Sequence, residues 1–212
     1  MTAVKTVKIG DIVKISKGKK AVSIFNTANK NRVRFIQIDD LRNNNNLKFT
    51  EDKGVSVKAE DVIIAWDGAN AGTIGYGLNG IIGSTLAKLE IKDAGILSQF
   101  LGKFLQGKFR YLRDRCTGAT IPHISKRVLS DLEIPLLGVE DQKRIVHELD
   151  LADAIRQKRK QAIVLLDDYL KAMFLEMFGD PVTNPKGWKI VSLLEVTKKI
   201  TDGTHQSPKI EN

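Results

Sequence analysis

The stretch that most constrains the fold is residues 139–178, forty consecutive positions without a glycine or a proline. Gly138 precedes this stretch and Gly179-Asp180-Pro181 follows it, and residues of these types commonly border helices. Because nothing inside the stretch interrupts the backbone hydrogen bonds of a helix, we predict one helix about 60 Å long.

Ten positions in this predicted helix are spaced alternately by four and three residues, the pattern of a coiled-coil seam. They are Ile145, Leu149, Ala152, Arg156, Arg159, Ile163, Leu166, Leu170, Met173 and Met177. We predict that the apolar members pair with a partner helix, while the two arginines form a polar middle that can fix the register. The alternative is that the helix packs along its own globular domain, which a helix of this length would overhang.

The residues before the helix indicate a β-rich domain. Runs rich in valine and isoleucine, separated by Gly, Asn and Asp, are typical of strands and turns, and they occupy residues 7–15, 33–38, 62–66, 73–76 and 86–91. Ser98 is predicted to cap a helix whose apolar residues recur until Gly118, and residues 121–137 are predicted to return as an extended segment. The expected fold class is α+β, with a β-rich domain over residues 1–138 and the coiled-coil helix over 139–178.

A short internal repeat begins after the helix. Residues 188–196 align with residues 7–15 at an offset of 181 positions, and a basic, glycine-containing stretch follows each copy. We therefore expect residues 179–212 to form a linker and the start of a second, incomplete copy of the first domain.

The positive charge of the chain is concentrated in the predicted β-rich domain. Residues 1–138 contain 22 basic and 13 acidic side chains, a net charge of +9, which equals the net charge of the whole chain. Within this domain, residues 1–58 contain 13 basic and 5 acidic side chains. Such a local field can attract a phosphate backbone, although it is also compatible with a basic, solvated surface.

Several functional classes lack their signatures. The segment 75–80 matches the GxGxxG dinucleotide fingerprint, but residues 81–85 are predicted to form a strand rather than the phosphate-binding helix. Walker, nuclease and amino-methyltransferase motifs are missing, and Cys116 and the histidines show no pattern of a catalytic or metal site. One cysteine, no signal peptide and no membrane-spanning apolar run predict a cytoplasmic protein.

Three motifs carry a resemblance to a known family. Residues 66–75 read WDGANAGTIG, residues 118–125 read GATIPHIS, and residues 132–136 read LEIPL and lead into EDQKRIV at 140–146. In this order and spacing they resemble specificity subunits of Type I restriction-modification enzymes. Asp141 before Gln142 is a departure, because the family more often has Glu-Gln at this place.

The resemblance implies a non-catalytic subunit that recognises double-stranded DNA. It implies a methyltransferase subunit as partner, which would bind S-adenosylmethionine, and a restriction/translocase subunit for cleavage. We expect basic loops to hold phosphates and Asn, Gln or Arg side chains to read base edges. The candidate DNA-binding residues are Lys17, Lys19, Lys20, Lys30, Arg32, Arg34, Arg42, Asn44 and Asn70.

The family usually contains two recognition domains and two spacer helices, whereas this sequence contains one of each and the start of a second recognition domain. We therefore expect a homodimer through the long helix that reads a bipartite DNA site. Two other classes are open at this point. One is an enzyme in its own right, and the other is a coiled-coil scaffold with a domain that binds nucleic acid without sequence preference.

Overall fold

The computed structural model describes residues 4–43, 45–92, 95–118 and 120–201. The chain divides into two compact units, Met1–Ala154 and Ile155–Asn212. The described residues of the first unit form these strands: β1 (Thr6–Lys8), β2 (Val13–Lys17), β3 (Val33–Ile36), β4 (Lys48–Thr50), β5 (Val55–Val57), β6 (Val62–Ala65), β7 (Ile74–Tyr76), β8 (Gly80–Ile82), β9 (Leu86–Ile91) and β10 (Glu133–Pro135).

Helices of very different length accompany the strands. They are α1 (Ile9–Ile12), α2 (Ser98–Gly107), α3 (Phe109–Asp114), α4 (Lys126–Ser130) and α5 (Val139–Phe178), with a 3₁₀ turn at Ile38–Leu41. The predicted α+β fold and long helix are therefore confirmed. Helix α5 has forty residues and contributes to both units.

The strands form three sheets. One is antiparallel with the order β2-β9-β6-β7, and another has the order β4-β3-β8-β5, in which β3 and β8 are parallel. Strands β1 and β10 form a separate antiparallel pair that joins the two ends of the domain. The domain is closed by this pair, since its strands are more than a hundred residues apart in sequence.

Strand β6 lies between two apolar cores. Val62 and Ile64 belong to the larger core, together with Leu101 and Leu105 of α2. Ile63 points into the smaller core, which the second sheet completes. Because side chains of a strand alternate between its two faces, full burial on both faces requires the continuous apolar sequence of β6, and all its residues are fully buried.

The predicted strand over residues 7–15 is wrong in its middle. Residues 9–12 form the short helix α1, and both Ile9 and Ile12 are buried in the larger core. Positions three apart lie on the same side of a helical turn but on opposite faces of a strand. Burial of both isoleucines in one core therefore favours the helical turn.

The predicted helix from Ser98 to Gly118 differs in three respects. Leu97 is the N-cap and Ser98 lies inside α2, where its hydroxyl contacts the side chain of Gln99. Lys108 separates α2 from α3, and α3 ends at Asp114. The predicted extended return contains helix α4, which Ser125 caps by accepting from the backbone N–H of Val128, before β10 begins.

In the second unit, residues after α5 donate hydrogen bonds to the last backbone carbonyls of that helix. Trp188 Nε1 donates to the carbonyl of Phe178 at 2.8 Å, and Lys186 Nζ donates to the carbonyls of Glu176 and Met177. The last carbonyls of a helix have no partner within it, so these two side chains act as its cap.

The predicted second copy does not reproduce the packing of the first in the described residues. Residues 190 and 193 correspond to Ile9 and Ile12, but Ile190 is 84% exposed and Leu193, in helix α6 (Leu193–Val196), is 69% exposed. The domain division at residues 138 and 178 remains a prediction.

None of the helices formed by the described residues is long and apolar enough to cross a bilayer.

Candidate nucleic-acid interface

The candidate site is organised around the loop between β6 and β7, residues 66–73. Its backbone is held by its own hydrogen bonds, from Ala71 N to the carbonyl of Gly68 and from Thr73 N to that of Asn70, both at 3.0 Å. Gly68 and Gly72 have φ of +89° and +93°, which glycine adopts without steric cost. The loop is therefore a compact turn, in agreement with the glycines in its sequence.

Asp67 is the central charged group of this loop. Its carboxylate lies 2.7 Å from Lys17 Nζ and 2.6 Å from His123 Nδ1. Burial alone would raise the pKa of Asp67, but the hydrogen bonds from Lys17 and His123 outweigh it, and the pKa is lowered. Asp67 therefore stays ionised and ties the end of β2 and the segment at 123 to the loop.

Two of the sequence motifs meet at this point. The backbone N–H of Gly68 donates to the carbonyl of Pro122 at 2.9 Å, and that of Ile124 donates to Trp66 at 2.9 Å. The GATIPHIS segment is thereby fixed against the WDGANAG segment, although they are about fifty residues apart in sequence. Their shared presence in the chain has a structural reason, since each holds the other in place.

Helix α3 approaches the loop from another side. Arg113 donates to the backbone carbonyls of Ala69 and, at 3.5 Å, Ala71. The guanidinium of Arg115 lies 3.9 Å from the ring centroid of Tyr111, and Arg110 is exposed. This helix adds cationic and aromatic groups beside the loop.

Arg42 completes the surroundings of the loop. Its Nη2 donates to Oδ1 of Asn70 at 2.7 Å. Asn70 is half-buried and also lines a groove of about 460 Å³ with Lys20, Gln37 and Thr85. Cationic side chains from β2, from the segment after the 3₁₀ turn and from α3 thus surround a single polar loop.

The other predicted DNA-binding residues lie outside this group of contacts. Lys19 and Lys30 are exposed in loops. Arg32 pairs with Glu51 at 3.0 Å and stacks on a phenylalanine ring, and Arg34 pairs with the buried carboxylate of Asp40 at 2.9 Å. Asn44 lies outside the described residues. Of the nine candidates, the structure brings Lys17, Arg42 and Asn70 together at the β6–β7 loop, with Lys20 in the adjoining groove.

The predicted helix-pairing residues divide into two groups. Ile145 packs against the larger core of its own unit. Further along α5 the side chains are exposed: Leu149 43%, Ile163 60%, Leu166 60%, Leu170 64% and Met177 57%, with Ala152 also exposed and Met173 half-buried. An exposed apolar seam therefore begins after Ile145.

Sequence reasoning did not find the contacts of Asp67, His123 and Arg113. No partner for His123 is evident in the sequence, and in the structure it is Asp67 that binds this histidine. Asp67 and His123 lie in two of the sequence motifs, which marks them as residues to consider, but their pairing depends on the tertiary structure.

Cys116 is half-buried, and burial raises the pKa of its thiol. Among the described residues, no three His, Cys, Asp or Glu side chains are gathered in a way that could hold a metal ion.

The described residues form a β-rich domain with a compact polar loop, and a long helix follows the domain in sequence. Residues 1–165 match the family model described as the Type I restriction modification DNA specificity domain. The chain therefore belongs to this family, and the resemblance seen in its motifs is confirmed.

Two curated relatives are specificity subunits of Type I restriction enzymes. The MjaVIII subunit of Methanocaldococcus jannaschii is 30% identical over 91% of this chain and 48% of its own length. The EcoBI subunit of Escherichia coli is 25% identical over 73% of this chain and 33% of its own length. The chain thus spans about half or less of the length of these relatives.

Solved structures agree on the fold. A structure of a type I R-M system superposes with a TM-score of 0.66 at 24% identity, covering 82% of this chain and 44% of that chain. The HsdS subunit from Thermoanaerobacter tengcongensis superposes with a TM-score of 0.60 at 23% identity, covering 76% and 40%.

Proposed function

We propose that this chain is the DNA-recognition component of a Type I restriction-modification complex. The observation that carries the proposal is the β6–β7 loop, a rigid polar turn held by Lys17, Arg42 and Arg113 within a domain of the specificity family. A loop that is ordered before binding loses little conformational entropy when it meets DNA. Cationic groups around it match the negative charge of the duplex.

Phosphate contacts and base contacts have different sources in this proposal. Exposed lysines such as Lys19, Lys20 and Lys30 attract the backbone, which fixes the protein on the duplex without reading sequence. Arg34 is a poor choice for this role because the buried carboxylate of Asp40 holds it. Base readout falls to polar side chains at the loop and the adjoining groove.

The chain performs no chemistry in this proposal. Methyl transfer and DNA cleavage belong to partner subunits, and the methyltransferase subunit supplies the S-adenosylmethionine site. The missing catalytic motifs motivate this part of the proposal. A methyl-transfer assay on the isolated chain tests it, and measurable activity without a partner would contradict it.

The exposed part of the α5 seam pairs with the same helix of a second copy in this proposal. Among the described residues, α5 is the only helix longer than ten residues, so its apolar seam has no long partner helix there. Antiparallel pairing of two copies gives two identical recognition domains related by a two-fold axis. Such a dimer reads an inverted repeat interrupted by bases that it does not contact.

Selection from a random duplex library tests the recognition function directly. The full chain is used with and without the methyltransferase subunit of the same complex, and the selected sequence is then compared with a scrambled duplex at several salt concentrations. We expect at least a thousandfold preference for the selected duplex, as specific binding typically shows. Equal affinity for both duplexes would favour a scaffold that binds nucleic acid without sequence preference.

A pair of variants separates phosphate contacts from folding effects. Charge reversal at Lys19 and Lys20 should weaken binding to all duplexes and reduce its dependence on salt. Charge reversal at Lys171 in α5, which is exposed and remote in sequence from the loop, is the control. An unchanged salt dependence in the Lys19 and Lys20 variant would show that this loop does not contact DNA.

A further inference from the structure

Arg42 differs from three other cationic DNA-binding candidates, Lys17, Arg32 and Arg34, in the chemistry of its partner. Carboxylates pair with the others: Lys17 with Asp67, Arg32 with Glu51 and Arg34 with Asp40. Arg42 instead donates to the neutral amide oxygen of Asn70 at 2.7 Å. A carboxylate compensates the charge of its partner, whereas an amide oxygen orients the guanidinium and leaves its full positive charge available to a ligand.

This contact uses a small part of the hydrogen-bonding capacity of Arg42. A guanidinium carries five N–H donors in a planar fork, and one of its nitrogens contacts Asn70. The remaining donors suffice for a bidentate contact with O6 and N7 of guanine, the commonest specific arginine contact in the major groove. Arg42 is also exposed, so a duplex can reach it.

The two residues lie between two grooves of the same domain. Asn70 lines the groove of about 460 Å³ that includes Lys20 and Thr85. Arg42 lines a second groove of about 250 Å³, beside Asn43 and Gln106. A side chain between two concave surfaces is well placed to meet a base edge while the surfaces on each side meet neighbouring parts of the duplex.

Asn70 is itself fixed by the loop that carries it. The backbone carbonyl of Asn70 accepts from Thr73 N at 3.0 Å, and the neighbouring backbone carbonyl of Ala69 accepts from Arg113. An arginine side chain loses considerable rotamer freedom when it is ordered. Holding Arg42 against a rigid loop before DNA arrives reduces this cost and gives the guanidinium a defined direction.

We propose that Arg42 reads a guanine in the DNA target and that Asn70 is the residue that positions it. This inference rests on the proposed DNA-recognition function and deepens it, because it assigns one base pair of the target to a particular pair of side chains.

The experiment begins with the duplex that the wild-type full chain selects, with and without the methyltransferase subunit. Arg42→Lys keeps the positive charge but removes the bidentate fork, and Arg144→Lys in α5 is the matched control at an exposed position that lies outside the candidate interface. We expect Arg42→Lys to lose about tenfold in discrimination at one G·C pair and to keep its affinity for random duplex. Arg144→Lys should leave the discrimination at every position unchanged.

Chemical substitution in the DNA identifies the contact independently of the protein variant. Replacing the assigned guanine by 7-deazaguanine removes the N7 acceptor. The wild type should lose about tenfold in affinity, and Arg42→Lys should lose little more. If Arg42→Lys discriminates at every position as the wild type does, Arg42 is a structural tether and the inference is overturned, although the recognition function stands. Failure of the wild type to select any sequence would overturn the recognition function itself.

The positioning role of Asn70 is tested by separate variants. Asn70→Ala should reduce discrimination at the same base pair as Arg42→Lys, and the two changes combined should cost no more than Arg42→Lys alone, because Asn70 acts through Arg42. Asn70→Asp keeps an acceptor for Arg42 but adds a negative charge, so it should weaken binding to all duplexes. Thermal unfolding of each variant establishes that the domain is folded. Additive effects of the two substitutions would contradict the positioning role of Asn70.

Discussion

The ammonium group of Lys103 in α2 lies 2.7 Å from a carboxylate oxygen of Asp153 in α5. Lys103 contacts Asp150 as well, at 2.8 Å, and its side chain is only 8% exposed. Burial alone would lower the pKa of Lys103, but the hydrogen bonds to Asp150 and Asp153 outweigh it and raise the pKa. The lysine is thus charged at all physiological pH values and fastens the N-terminal part of the long helix to the domain.

Removal of this cation should destabilise the attachment of α5. We expect Lys103→Met to lower the free energy of unfolding by roughly 1–2 kcal/mol, less than for a fully buried pair, because both carboxylates are about half exposed and can regain water. Urea unfolding measures the change. Lys171→Met, whose partner Asp168 is 3.8 Å away on the surface, is the control and should change the stability by less than about 0.5 kcal/mol. Equal stability of the two variants would show that Lys103 does not fasten the helix.

Gln142 makes the second attachment of the helix. Its side chain is fully buried, accepts from Leu97 N at 2.9 Å and donates to the carbonyls of Gly95 and Leu137 at 2.6 and 2.9 Å. Gln142→Ala removes these three hydrogen bonds and leaves a gap at a fully buried position, and each typical hydrogen bond contributes about 0.5–1.5 kcal/mol to stability. We expect a loss of at least about 2 kcal/mol in urea unfolding.

The control for Gln142 is Gln157→Ala on an exposed turn of the same helix. It should leave the stability within about 0.5 kcal/mol of the wild type, since surface substitutions usually do so. A similar loss in both variants would mean that the effect does not come from the buried contacts of Gln142, because alanine has a higher helix propensity than glutamine and would not weaken the helix by itself.

The long helix could be predicted because its signal is local. The absence of Gly and Pro within residues 139–178 and the breakers at each end define its bounds in the sequence. The turn at Ile9–Ile12 could not be predicted in the same way, because the apolar residues there fit both a strand and a helical turn. Burial of both isoleucines in one core decides between them, and the core is a property of the whole domain.

The contacts of the cationic residues at the candidate site could not be predicted from the sequence either. The sequence gives the positions of Lys17, Arg34 and Arg42 but not their partners. Asp40, Asp67 and Asn70 are the partners in the structure, six to fifty residues away. Which cation is compensated and which keeps its charge therefore depends on tertiary contacts.

Acidification should weaken the anchoring of the β6–β7 loop. The pKa of Asp67 is lowered from its ordinary value of 3.8 in the folded protein, so its ionised form is the one that the fold stabilises. This contribution is present above the unfolded pKa and is lost as the pH falls through the lower, folded pKa. Asp67→Asn should cost roughly 1–2 kcal/mol at pH 7, the size of a charged hydrogen bond, and the difference from the wild type should shrink below pH 4.

Urea unfolding between pH 3 and pH 7 measures this linkage. Asp131→Asn is the control, because Asp131 pairs with Lys8 at 3.1 Å while both side chains are about half exposed. It should cost less than about 1 kcal/mol at pH 7. A difference between Asp67→Asn and the wild type that stays constant over this pH range would contradict the role assigned to the ionised carboxylate.

The exposed seam of α5 leads to the last prediction, that pairing of two copies depends on Leu166 and Leu170. Both side chains are at least 60% exposed in the single chain, and two buried leucines are worth roughly 3–6 kcal/mol of apolar burial. The double substitution Leu166→Lys and Leu170→Lys should therefore abolish assembly. Light scattering at micromolar concentration measures it, and circular dichroism should show a domain that remains folded.

The polar middle of the seam bears on the strength of this pairing. Antiparallel pairing brings Arg156 and Arg159 of one copy near those of the other. The arginines then repel each other across the axis, so we expect the wild-type dimer to strengthen when they are replaced by leucine. Gln161→Lys lies away from the seam and should leave assembly unchanged. A wild-type chain that stays monomeric with and without the methyltransferase subunit, or a seam variant that assembles as the wild type does, would contradict pairing through this helix.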